Sequence, residues 1–250
     1  MKTAILIIAR LKSTRLTKKV LRPILDRPMI SHMLDRLKLA QRPDQIILCT
    51  STVAQDDPLE KWAVSEGISC FRGHPDDVLY RKAACVERYG VDTVISCTAD
   101  NPFVDPVYID KLADFHHEQN NDFSKVEGLP WGAFSYVLSS SAIRRACEIK
   151  ALTDTEVWGG YFMETGMFRW SSLQVTDPKV LWPNLRITVD TPEDFELATR
   201  IFEELYQYDR IFSLADIVNL CRQKPELLKI NAEIEQKPAL PIKVKSELGK

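Results

Sequence analysis

Ala4-Ile5-Leu6-Ile7-Ile8-Ala9, followed at once by Arg10-Leu11-Lys12-Ser13-Thr14-Arg15-Leu16-Thr17-Lys18-Lys19, sets a wholly aliphatic run against a cationic one. The first segment has no polar position in either register, the pattern of a strand covered on both faces in a parallel sheet. The second offers five cations and three hydroxyls. Downstream, Ile30, Met33, Leu34 and Leu37 recur on one face of a helix that opens near Pro28. Strand signals at 45–49, 68–71 and 93–98 alternate with helix signals at 59–66, 77–89 and 107–119. This rhythm predicts βαβ units and an α/β sheet with right-handed crossovers. Ligands of such sheets lie beyond the carboxyl ends of the strands, near Arg10 and Asp100 in this chain.

The second half changes character. Strands are predicted at 122–126, 133–138, 168–175 and 185–189, and helices at 140–149, 192–205 and 214–222. Residues 158–166 carry no clear pattern, and 237–250, with two prolines and several lysines, read as a loose tail. The expected organisation is one domain over 1–236. It divides into a nucleotide-binding half (1–120), an acceptor and dimerisation region (121–184) and a second acidic motif with the final helices (185–236).

Composition narrows the class. With 45% hydrophobic and 27% charged residues over 250 positions, the chain is globular rather than disordered. No apolar run reaches the 18 or so residues that cross a bilayer. The opening apolar run is too short for a signal peptide, so the expected location is the cytoplasm. Cys49, Cys70, Cys85, Cys97, Cys147 and Cys221 are scattered, which argues against zinc and disulfides. His116 and His117 read as solvated surface. The net charge of −2 hides an asymmetry: residues 1–42 carry +9 and the remainder −11. Such a concentrated positive field calls for an anionic partner, a nucleotide or a nucleic acid.

Three constellations carry chemistry. The loop 10–19 has the guanidinium forks, hydroxyls and point-charge lysines that a triphosphate requires, though it also reads as a solvated basic loop. The first glycine is Gly67, so neither a Walker loop nor a G-x-G-x-x-G fingerprint is present. Thr98-Ala99-Asp100-Asn101-Pro102 releases a carboxylate at a strand end, which is also a common start for a turn. Val189-Asp190-Thr191-Pro192-Glu193-Asp194 places Asp190 before a helix, with Asp194 reading as an ordinary acidic first-turn residue. Mg²⁺ prefers one or two carboxylates plus phosphate oxygens, and two strand-end aspartates facing a cationic loop supply that set.

Ala9-Arg10 with Ser13-Thr14-Arg15-Leu16 and Lys19 resembles the opening motif of the cytidylyltransferases that make CMP-activated sugars, as do Pro28-Met29-Ile30 and Asp35-Arg36-Leu37. Phe71-Arg72-Gly73 with Asp76-Asp77-Val78-Leu79 and Arg81 is similar to the spore coat polysaccharide biosynthesis protein F branch. So are the Asp100 segment and the late Ile230-Asn231 and Gln236-Lys237, while the Asp190 segment matches the second acidic motif. The resemblance implies a nucleotide-diphospho-sugar transferase fold, a Rossmann-like α/β/α sandwich, often dimeric through its second half. It implies that Ala9, Arg10, Ser13, Arg15, Lys19, Arg72, Asp77, Arg81 and Thr98 bind the nucleotide. Arg10, Arg15, Lys19 and Asp100 would be catalytic, with Asp100 and Asp190 holding Mg²⁺. The implied substrates are CTP and a sugar acid or phosphorylated acceptor for a surface glycan, with no nucleic acid or membrane as partner. A guanylyl- or uridylyltransferase of the same fold is the alternative, and a non-catalytic nucleic-acid-binding module the more distant one. Asp26 and Ser96 depart from the family pattern, standing where Gly and Arg are usual. Gly132-Ala133-Phe134-Ser135 and Trp158-Gly159-Gly160-Tyr161 match no acceptor motif.

Overall fold

β1 (Thr3–Ile8) forms on the aliphatic run, and its side chains alternate between two cores, Ile5 and Ile7 in one and Ala4 and Leu6 in the other. The computed structural model describes residues 1–12, 15–155, 157–208, 210–236 and 241–245. After β1 come a small ribbon of β2 (Pro23–Ile24) and β3 (Arg27–Pro28), then α1 (Met29–Leu37). β4 (Gln45–Ser51), α2 (Asp57–Ser65), β5 (Ser69–Gly73), α3 (Val78–Tyr89), β6 (Thr93–Thr98) and α4 (Pro106–Glu118) keep the predicted alternation. β7 (Phe123–Glu127), β8 (Tyr136–Ser139), α5 (Ser140–Ile149), the short α6 (Gly160–Met163) and β9 (Trp170–Gln174) follow. α7 (Pro192–Leu205) and α8 (Leu214–Gln223) close the order.

Seven strands hydrogen-bond in the order β5-β4-β1-β6-β8-β7-β9. All run parallel except β8, which pairs antiparallel with both β6 and β7. One face is covered by α1, α2, α4, α7 and α8, the other by α3, α5 and α6, giving the three layers expected. Local signals explain the boundaries. Asp77 caps α3 by accepting from the Tyr80 N–H at 2.9 Å, and Gly90 ends it at φ 62°. Thr191 and Asp194 form a reciprocal capping box at the start of α7, with Pro192 in the first turn.

Some expectations are corrected. Residues 185–189 do not form a strand; they make one bridge, Trp131 to Arg186, and then cross the carboxyl edge of the sheet. The N–H groups of Ile187 and Thr188 both donate to the Trp131 carbonyl, at 2.8 and 3.0 Å, and that of Val189 to the Asp100 carbonyl at 2.8 Å. Gly132 makes this crossing possible: at φ 107° it tolerates a conformation other residues resist, and a Cβ there would lie 2.5 Å from the Thr188 nitrogen. His116 is not solvated surface, being buried against Ser124 Oγ at 3.0 Å. Burial holds its pKa at about 4, so it stays neutral. Residues 241–245 do not hang free: Val244 bridges Lys150, the Lys245 N–H donates to the Ile149 carbonyl, and Ile242 packs on the α3/α5 core. Residues 158–166 become an aromatic core block, with Trp158, Tyr161 and Phe162 buried.

Candidate active site

The basic loop is fixed at its apolar positions. Leu11 and Leu16 are buried in the larger core. The Leu11 N–H donates to Asp56 Oδ1 at 2.7 Å, and Gln55 Nε2 donates to the Leu11 carbonyl. Asp56 is itself buried and accepts from the Ser51 hydroxyl at the end of β4. Lys18 then takes a left-handed conformation, φ 51°, before a short 3₁₀ turn at Lys19–Leu21. For a non-glycine residue this is uncommon and costs energy. Its effect is to turn Lys19 inward across the carboxyl edge of the sheet.

Lys19 Nζ donates to Asp100 Oδ2 at 3.1 Å, to Asp190 Oδ1 at 2.8 Å and to the Val189 carbonyl at 2.8 Å. The structure thus brings Asp100, ninety residues away in sequence from Asp190, to the same ammonium. Asp190 is also met by Arg15 Nη2 at 3.6 Å and Arg186 Nη2 at 3.3 Å. Burial pulls the Lys19 proton affinity down, but attraction to Asp100 and Asp190 outweighs this and the net shift is upward. For Asp190 the balance is mirrored: burial pushes its pKa up, and Lys19, Arg15 and Arg186 hold it below the usual carboxylate value.

A second tier holds Asp190 in place. Arg186 chelates Asp194, Nε to Oδ1 at 2.9 Å and Nη2 to Oδ2 at 2.8 Å, and Asn231 Nδ2 donates to Asp194 Oδ1 at 2.9 Å. Asp194 Oδ2 accepts the N–H groups of both Asp190 and Thr191. Burial raises the Asp194 pKa, and the Arg186 and Asn231 bonds more than reverse it. A carboxylate depressed in the folded state contributes stability above its unfolded pKa and loses it only as pH falls through the folded value. Lys19, raised, loses its contribution only above its ordinary value. Near neutral pH Lys19, Asp190 and Asp194 therefore keep their charges.

The other sequence candidates separate into two groups. Ala9 is buried, its N–H directed at the Cys49 carbonyl. Arg10 Nη1 reaches the Pro75 carbonyl and Asp76 Oδ1 in the turn after β5, tying that turn to the basic loop. Thr98 Oγ1 accepts from Asn101 Nδ2 at 2.8 Å beneath Asp100. Ser13 lies outside the described residues. Arg72, Asp77 and Arg81 are committed inward. Arg72 donates to the Ser51 and Val53 carbonyls and pairs with Asp57 and Glu60, stapling β4 to α2. Asp77 is buried against Lys150 Nζ and Thr155 Oγ1. Arg81 Nη1 donates to the His74 and Pro75 carbonyls, while its Nε and Nη2 have no partner among the described residues. Sequence reasoning missed Asp56, Arg186 and the supporting role of Asp194. The last two stand four residues either side of Asp190, a spacing that could have exposed them.

The geometry fits a divalent cation held between two carboxylates. The Lys19 ammonium already occupies a cation's place between Asp100 and Asp190, and no cluster of three or more potential ligands occurs among the described residues. That donor set suits a hard ion completed by phosphate oxygens.

The fold is shared with solved nucleotidyltransferases. Residues 4–224 match the family model described as cytidylyltransferase, and the chain belongs to that family. It is 27% identical over 228 residues to the spore coat polysaccharide biosynthesis protein SpsF of Bacillus subtilis, covering 88% of this chain and 94% of that one. A cytidylyltransferase structure from Leptospira borgpetersenii superposes with a TM-score of 0.83 at 24% identity, covering 95% and 99% of the two chains. CMP:2-keto-3-deoxy-manno-octonic acid synthetase complexed with CTP superposes with a TM-score of 0.64 at 16% identity, covering 82% and 100%. At these identities the structural matches speak for the fold alone. No helix among the described residues is long and apolar enough to cross a membrane.

Proposed function

We propose that this chain transfers a cytidylyl group from CTP to a sugar acid or a sugar-like phosphate, with Mg²⁺ as cofactor, in surface glycan synthesis. The observation that carries this reading is the Lys19 ammonium lodged between Asp100 and Asp190, at the mouth of a loop displaying Arg10 and Arg15. The family supplies the nucleotide, and the sugar acid is the substrate class of the synthetase that shares the fold. A cytoplasmic homodimer fits the same family pattern.

In the proposed reaction an acceptor oxygen attacks the α-phosphorus of CTP. The bond to the bridging oxygen breaks and its electron pair leaves with pyrophosphate. Arg10, Arg15 and Lys19 bind the phosphates and screen the charge that builds on the leaving group. Lys19 is placed to move from the aspartates to the phosphates when nucleotide arrives. Asp100 and Asp190 would hold Mg²⁺, which supplies Lewis-acid neutralisation of phosphate oxygens when bound. With a phosphate acceptor little proton chemistry is needed, and positioning dominates; the hydroxyl of a sugar acid also gives up its proton, to a carboxylate or water at the site.

The test is a melting-temperature panel with CTP, GTP, UTP and ATP, each with and without Mg²⁺. A ligand at a hundredfold its dissociation constant adds about 2.7 kcal/mol. CTP with Mg²⁺ is expected to give the largest upward shift; a larger shift with GTP or UTP would move the assignment to that nucleotide. The stand-in role of Lys19 has its own check. In Lys19→Met the two aspartates lose their shared cation, so Mg²⁺ alone should raise the melting temperature of the variant and not of the parent. An identical response in both proteins would mean that the aspartates do not form one cation site.

A further inference from the structure

Lys82 is fully buried on the inner face of α3, and its Nζ has no hydrogen-bond partner among the described residues. The Trp158 ring lies against it, with Nζ 3.4 Å from the centroid. A buried ammonium without a carboxylate is costly, and stacking on a ring recovers only part of the lost hydration. Burial draws its proton affinity well below that of an ordinary lysine; Cys49 opposes the effect and Arg81 adds to it. Ser96 Oγ, on β6, is a second buried group without a partner. Ser96 stands opposite Tyr136 on β8, so the two side chains share the sheet face that α3 covers. The Tyr136 ring lies 5.5 Å from Trp158, which places both orphaned groups in one neighbourhood. It is two residues below Thr98 and four before Asp100.

A chain of ring contacts runs from the surface to this place. Trp131, 40% exposed, meets Phe134 at 5.4 Å, Phe134 meets Tyr136 at 5.7 Å, and Tyr136 meets Trp158. Trp158 belongs to the irregular stretch between α5 and α6, tied to the start of α3 by Thr155, whose hydroxyl binds Asp77 and the Leu79 N–H. A wall of rings ending in unpaired donors is suited to a sugar ring that carries an anionic group.

We infer that Lys82, roofed by Trp158 and assisted by Ser96, is the subsite that binds an anionic oxygen group, carboxylate or phosphate, of the acceptor. The inference rests on the proposed cytidylyl transfer and deepens it by assigning the acceptor side. An arriving anion favours the protonated amine, which pairs with no carboxylate among the described residues, and the subsite discriminates against neutral sugars.

Melting temperatures of the parent, Lys82→Met and Lys82→Arg, each saturated with CTP and Mg²⁺, test it. The probes are inorganic phosphate, 3-deoxy-manno-octulosonate and the methyl ester of that acid. Lys82→Met should melt no lower than the parent without ligand, because a buried amine with no hydrogen-bond partner among the described residues is removed. Its CTP shift should be unchanged. At least one anionic probe should stabilise the parent and Lys82→Arg, and act at least tenfold more weakly on Lys82→Met; the ester should act on none. Phosphate alone would identify a phosphorylated acceptor, the octulosonate alone a sugar acid. The inference falls if Lys82→Met responds to the anions as the parent does, if neither anion stabilises the parent, or if Lys82→Met melts several degrees lower. Absence of a CTP shift in the parent would overturn the proposed function instead, and the anion arms can still be read without nucleotide.

Discussion

Asp100→Asn is expected to lower turnover by a factor on the order of 10²–10³ while leaving the fold intact. The substitution keeps the shape and removes the charge. The backbone carbonyl of Asp100, which accepts from the Val189 N–H at 2.8 Å, is untouched, so the crossing segment that carries Asp190 stays in place. Lys19 retains Asp190 and the Val189 carbonyl. The side chain is partly exposed, at 29%, so little buried structure depends on it. What is lost, in the proposed reaction, is one of the two carboxylates that would hold Mg²⁺ against the phosphates, at the point where the reaction redistributes charge. Steady-state pyrophosphate release and a melting curve on the same preparation measure the two quantities. A melting temperature within a few degrees of the parent, together with the rate loss, is the expected pair. Turnover within threefold of the parent would remove Asp100 from the catalytic set.

The part of this site that sequence made legible is the part built from local pattern. The switch from aliphatic to cationic residues after Ala9 marks a strand end and a ligand loop without any tertiary knowledge. Asp100 and Asp190 could each be singled out as strand-end or pre-helix carboxylates. That they converge was not derivable from spacing, because it depends on residues 185–189 leaving the sheet to cross its edge against Gly132, a contact between distant segments. The same crossing is why the expected strand there does not form. Asp194 read correctly as a helix cap, but a cap can also hold an arginine, and its grip on Arg186 needs three-dimensional register. His116 failed for the opposite reason. Polarity on a helix suggests solvent, yet Ser124 on β7 offered a buried partner. Arg72 and Asp77 belong to a legible motif whose side chains are engaged within the protein, Arg72 by the Ser51 carbonyl at the end of β4 with Asp57 and Glu60 of α2, and Asp77 by Lys150 and Thr155.

Asp77 permits the sharpest separation of structure from binding. Its carboxylate is 4% exposed, caps α3 through the Tyr80 N–H, accepts the Thr155 hydroxyl at 2.8 Å and is paired with Lys150, itself 9% exposed. Lys150→Met removes the counter-charge and leaves a buried carboxylate uncompensated. Breaking a buried pair from one side costs about 3–5 kcal/mol. For a chain of this size that corresponds to a drop in melting temperature on the order of 10 °C. Lys150→Met combined with Asp77→Asn removes both charges and keeps the cap geometry, so it should recover part of the loss. The KM for CTP should be unchanged in both proteins, because the carboxylate is spent on holding α3, Thr155 and the Trp158 segment together. If Lys150→Met instead kept the parental melting temperature and raised the KM for CTP several-fold, Asp77 would belong to the nucleotide site, and the inward hydrogen bonds would describe only the ligand-free state.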